Sequence, residues 1–314
     1  MRIIFWGTPG FAIPSLRALL GEDHEVLAVV TQPDRPAGRR REPRASAVKR
    51  VAVEEGIALA QPDRARGHDF EDWLRGLGSD LSVVVAWGQL LPPSVLEVPR
   101  LGSINLHASL LPELRGAAPI QWAIARGLTK TGVTIMRMVE ALDAGPILLQ
   151  VEEPIGDDEN AADLSARLSE VGAEALVETL TLLEAGEIAE RAQDHARATF
   201  APRILHEHAR TDWSRHSMEV GRHLRAFDDV PGAWTLHAGH ELKLFRPLPA
   251  ADFAHGSAPG TVLDVEPHDP ALGMLIACGT GGVWIREVQP SGRRRMTTVE
   301  WLRGHQVAEG MRFD

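Results

Sequence analysis

Asn105 and His107 stand two residues apart in the run GSINLHASLLP at 102–112. On a strand that spacing turns both side chains to one face. A side-chain amide beside an imidazole can hydrogen-bond a developing oxyanion and pass a proton, the two services that acyl transfer needs. The next carboxylate in a turn-like setting is Asp143, within LDAGP at 142–146. From there it could orient the histidine and select its tautomer. Taken alone, the same three residues also fit a satisfied structural histidine and an aspartate capping its own turn. Two basic clusters follow a different logic. PDRPAGRRREPR at 33–44 carries five arginines in twelve residues, Arg35, Arg39, Arg40, Arg41 and Arg44, and Arg293, Arg294 and Arg295 follow Gly292. Each is either a solvated charged loop or a set of phosphate contacts. His206, Glu207 and His208 alternate, but a metal site would need a further ligand that the sequence does not nominate. No metal is expected.

The elements that must position these residues can be read from hydrophobic runs. Apolar stretches at 3–6, 26–30, 81–86, 104–107 and 133–138 are continuous rather than alternating, with helical patterns between them. That is the signature of a mostly parallel sheet covered on both faces, an α/β, Rossmann-like arrangement. Asn105 and His107 fall at the carboxyl end of one such strand, where open α/β sheets place their ligands. The opening turn Gly7-Thr8-Pro9-Gly10 lacks the glycine spacing of a dinucleotide site. A long helix is expected over 161–184, with Leu164, Leu168, Val171, Ala175 and Leu182 on its apolar stripe, Asn160 as N-cap and Gly186 after its end. Residues 187–203 are charged and Ala-rich without periodicity. Beyond Leu205, short β-like runs broken by Gly and Pro suggest a small OB-like β-barrel. The expected organisation is a catalytic domain over 1–186, a linker over 187–205 and a barrel domain over 206–314.

The 314 residues, 44% hydrophobic and 24% charged, allow two domains of ordinary globular composition. A formal net charge of −10 excludes a chain that binds nucleic acid by overall charge, although a local basic element would still be felt by a phosphate backbone. A single cysteine, Cys278, excludes an internal disulfide, a four-thiolate zinc site and a CxxC redox pair. The amino terminus does not follow a signal-peptide pattern, and no apolar run approaches the roughly 18 residues of a membrane span. The expectation is a monomeric cytoplasmic protein with no membrane partner.

Several stretches together resemble the tetrahydrofolate-dependent formyltransferases, and among them the methionyl-tRNA formyltransferase family. They are RIIFWGTPGFA at 2–12, TQPDRPAGR at 31–39, VVVAWGQLLP at 83–92, SINLHASLLP at 103–112, RGAAPIQ at 115–121, TGVTIMRM at 131–138 and LDAGPIL at 142–148. ATFAPR at 198–203, DWS at 212–214, APGTVL at 258–263 and VQPSGRRRM at 288–296 extend the likeness nearly end to end. The resemblance implies that Asn105, His107 and Asp143 are the catalytic trio. It implies 10-formyltetrahydrofolate as formyl donor, without a metal, held by Ser109, Leu110, Leu111 and Pro112 and by Val85, Trp87, Gly88, Gln89 and Leu90. It implies initiator methionyl-tRNA as acceptor, contacted by Arg35, Arg39, Arg40, Arg41 and Arg44 and by Arg293, Arg294 and Arg295. A sugar-nucleotide N-formyltransferase would share the trio but gives no reason for the arginine loop, and a catalytically dead binding module gives none for Asp143. Departures from the family pattern are Gly10, the Asp228-Asp229 segment, and a net charge of −2 from His206 onward where basic character is expected.

Overall fold

The computed structural model describes residues 1–22, 24–37 and 42–314. It divides into two compact units, one of residues 1–119, 130–154 and 165–202, the other of 120–129, 155–164 and 203–314.

The first unit is built on a seven-stranded sheet. Its strands, in chain order, are β1 (Arg2–Gly7), β2 (Glu25–Val30), β5 (Leu59–Ala60), β6 (Leu81–Val85), β7 (Ser103–His107), β8 (Lys130–Arg137) and β9 (Ile147–Pro154), and a separate two-stranded ribbon pairs β3 (Arg35–Ala37) with β4 (Glu42–Arg44). Across the sheet the order is β5-β2-β1-β6-β7-β8-β9. The first five are parallel; all but the two-residue β5 lie on the apolar runs read above, and Leu81 to Val85 are all buried. The last two strands turn antiparallel, β7 to β8 and β8 to β9. Only residues 138–146 join β8 to β9, too few for the crossover that a parallel return requires. Trp6, fully buried, meets Trp87 and Phe70 edge-on and donates its indole N–H to Ser82 Oγ at 3.1 Å.

Helices α1 (Ile13–Gly21), α2 (Ala47–Glu54), α3 (His68–Leu77), α4 (Pro93–Leu96) and α5 (Pro119–Ala125) precede the long α6 (Ala161–Ala185). Asn160 caps α6 as expected, its Oδ1 accepting the N–H groups of Ala162 at 2.8 Å and Asp163 at 3.0 Å. Gly186, at φ +71°, ends it. The buried stripe runs Leu164, Leu168, Gly172, Leu176, Leu180, while Val171 and Leu182 are only half-buried. A glycine hides the register in the sequence, yet it is the point of closest approach: a Cβ at Gly172 would lie 2.7 Å from Leu106 of β7. The helix thus presses on the face of β7 opposite to Asn105 and His107.

The segment over 187–205, expected as a linker, does not behave as one up to Pro202, where it belongs to the first unit. Arg191 exchanges both backbone hydrogen bonds with Ile147, and Gln193 is buried. Its order comes from hydrogen bonds to β9 and to loops, which leave no apolar period to read.

The second unit carries α7 (Ser217–Ala226), then β10 (Trp234–His237), β11 (His240–Ala250), β12 (Val262–Glu266), β13 (Gly273–Ala277), β14 (Gly282–Pro290), β15 (Met296–Thr297) and α8 (Thr298–Leu302). The antiparallel order is β10-β11-β14-β13-β12, with β15 on β14. The two outer strands are joined through residues 310–314. Val262 N–H donates to Met311 O at 2.7 Å and Phe313 N–H to Gly260 O at 2.9 Å, while Leu236 and Asp314 exchange backbone bonds at 3.0 and 3.1 Å. This removes the free edges and gives the small barrel that the strand spacing predicts. Phe313 sits inside, 1% exposed. Cys278 is also wholly buried, and burial pushes its thiol up to about 12, so it is an inert apolar filler as its position in a strand-rich run suggests.

Candidate active site

β7 delivers Asn105 and His107 to one face, opposite Met136 and Thr134 of β8. The Asn105 amide is half-buried and has no hydrogen bond among the described residues. His107 is 6% exposed, and its Nε2 donates to the carbonyl of Leu114 at 3.0 Å. That bond turns Nδ1 toward Asp143, whose Oδ2 lies 3.8 Å away. The separation is too long for a direct hydrogen bond, but a water or an amine beside both could bond each in turn. Asp143 Oδ2 instead accepts the N–H of Gly116 at 2.7 Å. His107 and Asp143 therefore meet in space, with Asn105 on the same strand face as His107, and the carboxylate is held by backbone rather than by the imidazole.

The loops around it are strained. Five described residues other than glycine have positive φ, and three lie here: Ala86 (+49°), Leu114 (+58°) and Asp143 (+49°). Leucine gains nothing local from that region, so the surrounding bonds must impose it. Leu114 N–H donates to Thr199 Oγ1 at 2.9 Å, Arg115 N–H to Thr199 O at 2.9 Å, and Ala201 N–H to Arg115 O at 2.7 Å. Thr134 Oγ1 donates to Ser109 O at 2.6 Å and accepts from Leu111 N–H and Gln150 Nε2. Thr134 and Thr199 lie in stretches that carry the family resemblance, at 131–138 and 198–203, but Gln150 and Gln193 carried no sequence signal, because each is an ordinary polar residue whose role exists only with its distant partner.

Gly116 offers a direct test of this frame. At φ +119°, a Cβ there would lie 2.7 Å from Ala201 O. Gly116→Ala is expected to cost about 1–3 kcal/mol through backbone strain and to displace the N–H that holds Asp143. Thermal unfolding and turnover measured on one preparation check both effects.

Of the residues expected to hold a donor, Val85 is buried at the end of β6, and Trp87 is 2% exposed in the core against Trp6. The Trp87 indole N–H is buried without a partner. Gly88 faces open space at φ +89°, and Leu90 is 71% exposed. Gln89 donates to Gln32 Oε1 at 2.9 Å and to Asp63 O at 3.1 Å. On the neighbouring loop, Ser109 Oγ donates to Glu113 O at 2.6 Å, Leu111 is buried, and Pro112 O accepts from Thr199 N–H at 3.3 Å. Leu110 and Pro112 are half-buried. Val85 and Trp87 are therefore closed off in the core, and Gly88 and Leu90 are the open positions of this loop.

Arg35 and Arg44 are exposed and directly opposed across the β3–β4 ribbon. Like charges so placed repel unless an anion lies between them. The ribbon is anchored at Asp34, whose carboxyl is held below its usual range by hydrogen bonds from Lys49 and Gln61. Arg39, Arg40 and Arg41 lie outside the described residues. In the second unit Arg293 is exposed and Arg294 pairs with Glu300 at 3.3 Å on the surface. Arg295 departs from the expectation of a nucleic-acid contact. It binds Asp228 with two bonds of 2.6 and 3.2 Å and Glu287 with one of 2.6 Å, and stacks 4.0 Å from the Phe245 ring centre. Its charge is spent inside the unit on the buried Asp228, the very residue that departs from the family pattern. His206 pairs with Glu241 at 3.0 Å and stacks on Trp234, and no group of three potential metal ligands exists among the described residues.

Comparison with known proteins agrees with this geometry. The family described as formyl transferase matches residues 1–180, and formyl transferase, C-terminal domain, matches 203–306. Methionyl-tRNA formyltransferases of Solibacter usitatus and Geobacter sulfurreducens are 43% and 44% identical to this chain. The first alignment covers 98% of this chain and 97% of the relative, the second 100% and 96%. Among solved structures, an N-formyltransferase from Helicobacter canadensis, in complex with folinic acid and dTDP-3-aminofucose, superposes with a TM-score of 0.68 at 16% identity, over 92% of this chain and 98% of that one. HypX from Aquifex aeolicus in complex with tetrahydrofolic acid superposes with a TM-score of 0.67 at 22% identity, over 96% of this chain and 47% of that one. At those identities the solved structures speak for the fold alone. The match of both domains and the full-length identity show that the chain belongs to the methionyl-tRNA formyltransferase family of formyl transferases.

Proposed function

We infer that this chain transfers the formyl group of 10-formyltetrahydrofolate to the α-amino group of methionyl initiator tRNA. The observation that carries the reading is the approach of His107 Nδ1 to Asp143 Oδ2 at 3.8 Å, with the unengaged Asn105 amide on the same strand face as His107, in a chain that aligns over nearly its whole length with methionyl-tRNA formyltransferases. When bound, the donor supplies a formyl carbon on a nitrogen that can leave. The acceptor amine attacks that carbon, and the carbonyl oxygen gains negative charge. Asn105 has free N–H bonds to offer that oxygen, and donors of this kind typically contribute about 10²–10³ in rate. Asp143 and the Nδ1 side of His107 are assigned to take up the proton lost by the amine and return it to the departing nitrogen. No covalent enzyme intermediate is needed.

Acceptor binding is assigned to Arg35 and Arg44 with Arg39, Arg40 and Arg41, and to Arg293 and Arg294. Clustered arginines are suited to neutralising an RNA phosphate backbone. A monomer working in the cytoplasm belongs to the same reading; no described helix is long and apolar enough to cross a membrane. The test is one assay with 10-formyltetrahydrofolate and two acceptors in parallel, methionyl initiator tRNA and an amino-sugar nucleotide. Formyl transfer to the tRNA alone is expected. Transfer to the sugar alone would overturn the substrate while sparing the trio.

A further inference from the structure

Gln193 is 6% exposed and bonds with both ends of its amide. Its Oε1 accepts from Arg115 Nε at 3.2 Å and from Arg115 Nη2 at 2.6 Å. Its Nε2 donates to the carbonyls of Asp143 at 2.9 Å and Gly145 at 2.7 Å. This orientation is the only consistent one, because a guanidinium cannot accept and a carbonyl cannot donate. Arg115 is also 6% exposed and has no carboxylate partner among the described residues; its remaining acceptor is His195 Nδ1 at 2.9 Å. A buried cation without a counter-ion is costly, and its field is here delivered into a neutral amide. Two charge-assisted bonds on Oε1 polarise the amide and strengthen the two bonds its Nε2 gives.

Those bonds end on the hairpin that holds Asp143 at φ +49°. The next residue after Arg115, Gly116, gives its N–H to the Asp143 carboxylate. One side of Asp143 is thus set through Gln193 at its backbone and the other through Gly116 at its side chain, and both trace to the same Arg115–Gly116 step. We propose that Gln193 is a positioning residue for the reaction: driven by Arg115, it holds Asp143 at its distance from His107, and it touches neither donor nor acceptor. The proposal rests on the formyl-transfer reading above.

The diagnostic variant is Gln193→Glu. It keeps an acceptor for Arg115 and makes that contact an ion pair, but it turns a carboxylate oxygen on two carbonyl oxygens. Gln193→Leu removes both halves at similar volume. In the full chain, each variant is expected to lower kcat about 10- to 100-fold and to shift the acid limb of the kcat–pH profile. Affinities for tetrahydrofolate and methionyl initiator tRNA should stay within about threefold of wild type, and the unfolding temperature of Gln193→Glu should be close to wild type. A folded variant with kcat within threefold of wild type overturns the proposal. So does a loss of affinity in parallel with kcat, or failure of both variants to fold, either of which makes Gln193 purely structural. Absence of formyl transfer by the wild-type chain would instead strike the functional reading.

Discussion

Replacing His107, Asp143 or Asn105 by alanine is expected to lower kcat by about 10²–10⁴ while leaving tRNA affinity nearly unchanged. The reasons differ for the three. Asn105→Ala removes the side chain with uncommitted donors that the proposed mechanism assigns to the formyl oxygen, and Asn105→Asp should be worse, because it would present an acceptor to a developing anion. His107→Ala also leaves the Leu114 carbonyl without the N–H it receives at 3.0 Å, so some stability is lost along with turnover. Asp143→Asn keeps the hydrogen bond from Gly116 and the shape of the hairpin, which isolates the proton-taking role from the structural one. Because the three act as a unit, the double variant His107→Ala/Asp143→Ala should fall little below the worse single one. Single-turnover rates with saturating tRNA and a filter-binding Kd decide the matter. A Kd that collapses with the rate would make these residues structural.

The second large effect concerns the arginine ribbon. With Arg35, Arg39, Arg40, Arg41 and Arg44 all changed to alanine, tRNA binding should weaken by orders of magnitude at low salt. Its dependence on salt should also flatten: each lost phosphate contact removes about 0.7–0.9 from the slope of log K against log salt. Five contacts would remove about 3.5–4.5. Folate affinity should not move, since the five are assigned to the acceptor and not to the donor. The paired control is Arg295→Ala. That residue is bound to Asp228 and Glu287, so its loss should strip a buried carboxylate of its partner and lower stability rather than change the salt slope. A wild-type slope in the fivefold variant would remove the ribbon from the tRNA site.

The site was legible in the sequence to the extent that its parts are local. Asn105 and His107 share a face because a strand repeats every two residues, and that period needs no tertiary structure to be read. Four of the five parallel strands announce themselves by continuous apolar runs, β5 is too short to do so, the run at 133–138 is the antiparallel β8, and α6 shows its cap and its glycine stop. Arg35 and Arg44 cluster in the sequence and remain together across a short ribbon. The apolar stripe of α6 was read one step off where Gly172, small enough for Leu106 to press against it, stands in for a large side chain.

What the amino-acid order carried by itself was the set of candidates: an amide and an imidazole sharing a strand face, a carboxylate in a turn, a basic loop, and the motifs by which they resemble the formyltransferases. What only the tertiary structure decided was how they are held. Leu114 and Thr199 are 85 residues apart in the chain, Arg115 and Gln193 are 78 apart, and Asp228 and Arg295 are 67 apart. So are the roles that follow from them: the strained turn facing His107, the amide behind Asp143, and the arginine that turns inward. Closure of the barrel by residues 310–314 is of the same kind. Hydrogen bonds between distant polar residues impose no period on a sequence, because either partner could be placed almost anywhere. They become visible only when the hydrophobic core has brought the two ends within 3 Å or so of each other.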